Sequence, residues 1–557
     1  MIMKNIFKGC VLAAALIGGA SCTKMLDMTP TNLVSGKAIW EKTESAEWAV
    51  NSIYTYIYGV VANQSLVGLT ESLTDMMKYG SYNYNSRAFI PSEFAYGDAT
   101  TLTASYVDVY MGYWGTQYSR ILNTNEALSN LKSYGQMSDE DKIRLEAELR
   151  FMRAYLYFDL VKRYREVIIY DEDLSAIVKD RKLDTEEQGW DFIQKDLDFA
   201  AAKLPAKEDA KGRLDKGMAY AFLTRTMLYA KRYDAVIAAA DEVKKLGYDL
   251  EKKYADSYSK STVDGNVEAI LQYHFSRAEN VTHGFDFYYT PGGDYALNGT
   301  TGGGYGTPTQ ELVESYEKAT GGKPDWAPWH GTGITDTPPY AELEPRFHAT
   351  VLYNGSDWKG RKVEPYLGGA DGFCEWNAEP EPDGRSTTGY YLRKMVDETH
   401  DVKQYPSDGV QPITVIRYAE VLLNKAEALH ATGEEGQANG IVNDIRSRVG
   451  LPAITADGAD LMAAIRQERK VEFAFEGLWY WDLRRWGIAH KAYPEGLTGY
   501  QVHGFKITKD EEGNFTYDYI SVDDKDRNFP ERLYRFPLPA DELNNNGALE
   551  GQFPEWR

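Results

Sequence analysis

The chain has 557 residues and a formal net charge of −22, with 83 acidic side chains against 61 basic ones. The charge is spread along the sequence rather than gathered in blocks, so the surface repels phosphate backbones and anionic lipid, which argues against nucleic-acid binding. Two of the three cysteines, Cys10 and Cys22, lie near the start, so Cys374 has no disulfide partner and the body relies on its core.

In chain order, the first element is a leader. Lys4 and Lys8 precede an uncharged run from Val11 to Ala20, and Gly19, Ala20 and Ser21 lead into Cys22. The run is too short to span a bilayer, which takes about 20 apolar residues. It has the length of a signal-peptide core, about 7–15 residues. Small residues directly before a cysteine resemble a bacterial lipobox, although Gly19 stands where leucine is commoner. Residues 1–21 are expected to be a signal removed on export, Cys22 the acylated first residue, and 22–36 a polar tether. No later apolar run is long enough to cross a membrane.

Helical patterns dominate from there to about residue 250. Ser138 with Asp141 reads as a capping-box-like start, followed by a stripe through Leu145, Leu149, Met152 and Leu156. Trp190, Ile193, Leu197, Ala201 and Leu204 recur at helical spacing, and Pro205 ends that run. Segments 223–243 (LTRTMLYAKRYDAVIAAADEV) and 423–445 (LNKAEALHATGEEGQANGIVNDI) share one plan: a Leu/Ala helix, a short polar turn and a second apolar helix. That is the layout of a tetratricopeptide-type helical hairpin, whose faces need neighbouring hairpins to bury them. The pattern suggests about four such hairpins, over 37–275 and 411–490.

Residues 276–410 break the pattern. Gly and Pro crowd into TPGGDYALNGTTGGGYGTP (290–308), and Trp326, Trp329, Trp358 and Trp376 follow no period. A compact domain rarely carries a long irregular segment without a purpose, so this reads as a ligand-binding insertion. Residues 503–519 suggest two strands about a turn at 512–514. The tail to residue 557 lacks periodicity and is expected to wrap the body. The predicted fold is mainly α: a tetratricopeptide-like scaffold, a large loop-rich insertion and minor β-hairpins.

Several of these segments together resemble the SusD/RagB lipoproteins of Bacteroidetes-type bacteria. They include the lipobox cysteine with LDMTPTN behind it, ELRFMRAYLYFDLVKRYREV (148–167), DFIQKDLDFAAAKLP (191–205) and GRLDKGMAYAFLTRTMLYAKRYDAV (212–236). VIRYAEVLLNKAEALHATG (415–433), QERKVEFAFEGLWYWDLRRWG (467–487) and YRFPLPADEL (534–543) complete the set. The resemblance implies a lipid-anchored outer-membrane protein on the cell surface. Such a protein captures an oligosaccharide or polysaccharide and passes it to a SusC-like TonB-dependent transporter. It implies a helical face toward the transporter and a ligand site in the irregular loops. Capture of a peptide or glycopeptide, as some relatives look suited to do, is the alternative.

The chemistry-bearing residues agree with a binding role. Glu468 and Glu472 share one helix face, whereas glycoside hydrolysis needs carboxylates on both sides of the bond. With Arg417, Glu420, Arg469, Asp482 and Arg484 they lie in otherwise apolar helices, where carboxylates and guanidiniums pair. The eight histidines show no HExxH, and no GxSxG, P-loop or EF-hand spacing occurs. No cofactor is expected, and no spacing indicates calcium. Tyrosine is abundant, 41 against 20 phenylalanines. Flat rings cover the C–H faces of a sugar while polar edges meet its hydroxyls. The expected contacts are Tyr82, Tyr84 and Arg87 in YGSYNYNSRAF (79–89), and Tyr295, Tyr305, Trp326 and Trp329 in the insertion. Replacing Trp326 and Trp329 together by alanine is expected to abolish glycan binding without unfolding.

Overall fold

The computed structural model describes residues 36–61, 70–79, 86–178, 180–207, 212–296, 302–375, 385–402 and 408–557. The expected signal, Cys22 and the expected tether up to residue 35 lie outside them, as does Trp376. Among the described residues no helix is long and apolar enough to cross a membrane.

The scaffold is a stack of antiparallel helices. Its first part runs α1 (Thr43–Val61), α2 (Trp114–Tyr134), α3 (Asp139–Tyr164), α4 (Glu186–Lys203), α5 (Lys216–Tyr229) and α6 (Tyr233–Lys245). Its second part runs α7 (Tyr418–Ala431), α8 (Glu435–Arg448), α9 (Gly458–Glu472) and α10 (Trp479–Arg485). From α2 to α6 each helix packs on the next, and α6 then packs directly on α7. The two look-alike sequence segments therefore become neighbours in space, as stacked hairpins must to bury their faces.

Local chemistry sets the helix ends. Ser138 caps α3 by accepting the Asp141 N–H at 3.1 Å. The full reciprocal box belongs to α4: Thr185 Oγ1 accepts the Gln188 N–H at 3.2 Å, and Gln188 Oε1 accepts the Thr185 N–H at 2.9 Å. Trp190, Ile193, Leu197, Ala201 and Leu204 are all buried, and the helix closes just before Pro205.

The insertion is not a collection of loops lying on the scaffold. It builds a second apolar core, with Leu312, Val313, Phe347, Trp358, Tyr390 and Tyr391 packed against Phe505, Ile507 and Tyr517 of the C-terminal hairpin. Six strands matter here: β1 (Met77–Tyr79), β2 (Ala269–Tyr273), β3 (Gly306–Pro308), β4 (Ile413–Arg417), β5 (His503–Lys509) and β6 (Phe515–Ser521). β2 and β4 pair antiparallel, so the chain leaves the helical stack and returns to it side by side. β5 and β6 form the hairpin expected over 503–519. Cys374, between Phe373 and Glu375 of the insertion, is buried.

Buried charges bolt the insertion to the stack. Arg346, from the insertion, reaches Glu468 at 2.8 Å and Glu472 at 3.2 Å on α9, and Arg446 on α8 joins Glu317 to Glu468, both at 2.6 Å. Arg417 and Arg448 also bind Glu472. Burial alone would raise the Glu472 carboxyl, but Arg448, Arg417 and Arg346 overcome it and hold the group well below the ordinary carboxylate range. Arg225 pairs with Glu420 and Arg469 with Asp482. Arg484 departs from the expected pairing. Its Nη2 donates only to the Leu533 carbonyl, and its guanidinium lies 4.7 Å from the Trp481 ring and 4.8 Å from Phe536. Burial among these rings lowers it to about 10. The ring faces take the place of a carboxylate.

Candidate functional site

The β1–β3 ribbon brings the two expected loop regions together. Tyr79 pairs with Gly306 and Met77 with Pro308. Segment 80–85 follows directly on Tyr79. Tyr82 and Tyr84 lie outside the described residues, and Arg87 stands in the first turn of the helix Ser86–Tyr96, where the backbone alone is described.

The glycine run exists to lay the chain flat. Gly303 N–H donates to the Phe287 carbonyl at 2.9 Å, Gly304 N–H to Thr290 at 3.1 Å and Tyr305 N–H to Tyr288 at 2.9 Å. Gly303 has φ +76°, and a Cβ there would sit 2.2 Å from the Thr290 carbonyl oxygen. At Gly306 a Cβ would sit 2.5 Å from Met77 Sδ. Only glycine permits both the left-handed turn and this approach.

The result is an aromatic rim. Tyr305 meets Tyr288 at 4.7 Å between centroids and 78°, and Tyr79 at 6.3 Å and 88°. Phe287 lies 5.2 Å from Tyr288 and 5.3 Å from Tyr295. Tyr288, Tyr305 and Phe287 are half-buried, while Tyr79 is buried. Tyr295 is 0% exposed. A ring with no accessible face has none to offer a sugar, so Tyr295 is corrected from a ligand contact to the packing that backs Phe287.

Trp326 and Trp329 stand elsewhere. They meet at 6.2 Å across a short turn, Ala327–Trp329, and Trp326 also touches Tyr340 of the second core. Trp326 is 5% exposed. Trp329 is half-buried and donates its indole N–H to the Asp336 carbonyl at 3.2 Å. Trp326 is therefore a core residue, so removing its ring is expected to cost stability as well as any contact with a ligand. Both it and the turn belong to a separate cleft bounded by α9 and α10.

Sequence reasoning missed Phe287 and Tyr288. The signal was present in HGFDFYYTPGG, a dense aromatic run directly before the glycines, but its periodicity resembles a short core helix. Phe285 and Tyr289 of the same run are indeed buried. Among the described residues no group of His, Cys, Asp or Glu could hold a metal ion.

The comparisons agree with this architecture. Residues 267–556 match the model of the SusD family, and residues 30–228 match a family described as starch-binding associating with outer membrane. A SusD-like protein of Bacteroides ovatus is 24% identical over 540 residues, covering 92% of this chain and 89% of its own. Among solved structures, a SusD-like protein from Bacteroides fragilis is 30% identical with a TM-score of 0.76, covering 92% of this chain and 97% of its own. A SusD-like carbohydrate binding protein from the same species is 25% identical with a TM-score of 0.74, covering 92% and 100%. The chain, with its helical stack, inserted second core and surface aromatic rim, belongs to the SusD family of carbohydrate-binding, non-catalytic proteins.

Proposed function

We propose that the protein binds an oligosaccharide on the rim of Tyr288 and Tyr305, with Tyr82, Tyr84 and Arg87 of the adjoining segment as further contacts. It then delivers the glycan to a SusC-like TonB-dependent transporter while anchored in the outer membrane through acylated Cys22. The observation that carries this reading is the convergence of two aromatic segments, distant in sequence, on one glycine-built ribbon. Rings held by backbone hydrogen bonds lose little freedom on binding, and their exposed surface suits the C–H patches of a neutral sugar. A SusD-like relative of known structure is named as laminarin-binding, which supports a glycan ligand. The lipid would keep the binder beside its membrane partner and raise the effective concentration of captured glycan there.

The test is calorimetry of the protein against a panel of neutral oligosaccharides. The glycan that binds should lose about tenfold in affinity, about 1.4 kcal/mol, on Tyr305→Ala and again on Tyr288→Ala, with the melting temperature little changed. Unchanged affinity in both variants would remove the rim from the site. Labelled palmitate should enter the wild-type chain in cells and be absent from Cys22→Ser.

A further inference from the structure

The cleft beside Trp326 has a chemistry of its own. It encloses about 590 Å³ between the turn at 324–330, helices α9 and α10, and the segment 488–495. That volume lies within the range of small-molecule sites, about 300–1,000 Å³. Its wall includes the half-buried rings of Trp479 and Tyr493. Trp479 is fixed by its indole N–H to Asp75 at 3.2 Å, and Tyr493 stacks on Tyr500 at 4.5 Å and 14°.

The polar groups of this cleft divide sharply by sign. Its carboxylates are answered. Glu311 accepts from the His503 N–H at 2.9 Å, Glu314 pairs with His330 at 2.6 Å, and Asp75 pairs with Lys470 at 2.6 Å. Asp325 accepts the Ala327 N–H at 3.1 Å, and Glu495 pairs with Lys491 at 2.6 Å.

The unanswered groups are donors. Among the described residues the indole N–H of Trp326 is buried with no acceptor, and so is Nε of Arg466. Arg466 is half-buried on α9 with its guanidinium 5.0 Å from the Trp486 ring, and among the described residues no carboxylate pairs with it. Burial lowers it from its ordinary value, and the more distant Glu427 and Glu495 offset only part of that. Lys323 lines the same cleft, also without an ion-pair partner. An unpaired surface lysine is ordinary. Among the described residues the other interior guanidiniums on α8 and α9, those of Arg446, Arg448 and Arg469, are held by carboxylates, whereas half-buried Arg466 has a ring face in that place, as Arg484 has on α10, and it lines the same cleft as the buried indole of Trp326.

The geometry points to this cleft as a second ligand site that takes the anionic group of an acidic sugar, a carboxylate or a sulfate ester. Arg466 and Lys323 hold the acid, and the sugar ring lies against Trp479. A planar guanidinium matches the two oxygens of such a group, and a flat ring covers the C–H face beside it. The choice of a sugar rests on the carbohydrate-binding reading above; the choice of an anion rests on the cleft alone. This site is separate from the rim of Tyr288 and Tyr305.

The test uses the whole protein with three probes: an oligogalacturonide, its neutral methyl ester and a sulfated oligosaccharide. Calorimetry should show one acidic probe binding at least tenfold more tightly than the methyl ester. That binding should fall at least tenfold in Arg466→Gln and in Lys323→Gln, weaken as salt rises, and persist in Tyr305→Ala. Neither substitution strands a partner, so both variants should melt as the wild type does. The two acidic probes decide between carboxylate and sulfate. Failure of both acidic probes to bind, or binding that survives both substitutions, overturns the cleft. Acid binding lost in Tyr305→Ala but kept in Arg466→Gln places the acid on the rim, which defeats the cleft and leaves the rim standing. Arg466-dependent acid binding without any neutral glycan on the rim supports the cleft and defeats the rim.

Discussion

The rim at Tyr288 and Tyr305 and the pair at Trp326 and Trp329 have the same kind of side chain in the same Gly- and Pro-rich insertion, yet the fold treats them differently. At the rim, three consecutive backbone hydrogen bonds hold segment 303–305 against 287–290 and leave ring surface outward. At the other place, Trp326 turns into the second core against Tyr340 and is buried, although it and its neighbours line an open cleft. Aromatic composition marks where large flat surface is available. Which rings are fully buried and which only half-buried is decided by what the backbone is bonded to. One stretch of chain, residues 70–79, touches both regions, with Asp75 on the cleft and Tyr79 on the rim.

Substitutions can test that contrast, starting with the largest effect. Trp326→Ala should destabilise the protein by about 3–5 kcal/mol, the usual cost of truncating a buried tryptophan. Denaturant unfolding measures it, and a loss under 1 kcal/mol would show that Trp326 is not a core residue.

Glu71 probes the shared stretch. Burial raises its carboxyl to about 8, and only one of its oxygens is bonded, to the Gly477 N–H at 2.7 Å. A carboxyl raised in the folded state stabilises fully below its unfolded value of 4.5, and that contribution is lost as pH climbs toward 8. Glu71→Gln should therefore match the wild type near pH 4.5 and exceed it at pH 8 by on the order of 3 kcal/mol. Parallel pH–melting curves for the two proteins would refute the raised value.

Gly303→Ala attacks the rim through its backbone. With a Cβ set against the Thr290 carbonyl and a left-handed φ, it should cost about 2 kcal/mol. It should also weaken neutral glycan binding while leaving the acid-dependent binding of the cleft intact. The smallest effect is Trp329→Ala, within about 1 kcal/mol in stability because that side chain is only partly buried, at the edge of the second core. A larger loss would place Trp329 with Trp326 and dissolve the distinction between them.

Much of the scaffold was legible because helix periodicity, caps and breakers act over a few residues. The stripe from Trp190 to Leu204, the stop at Pro205 and the hairpin about 512–514 needed nothing from distant chain. That Glu468 and Glu472 pair with guanidiniums could be expected from charge in an apolar helix, but Arg417 reaches Glu472 from the end of β4 rather than from a helix, and Arg346 comes from the insertion, across more than 100 residues. Arg484 shows the limit of that rule, since aromatic faces can stand where a carboxylate was expected. For the site, Tyr305 was legible as an aromatic in a glycine run, whereas Tyr288 was hidden in a run whose other members are buried. Tyr295 and Trp326 look the same as Tyr305 in one dimension.

By itself the sequence determined the helical hairpins, the acidic surface and the family signature, because each follows from residue types a few positions apart. The tertiary structure decided that the insertion has a core, that β1 meets β3, and which rings face outward. Those outcomes depend on hydrogen bonds and burial between segments far apart in the chain, where the energy of one contact is set by partners that no local pattern records.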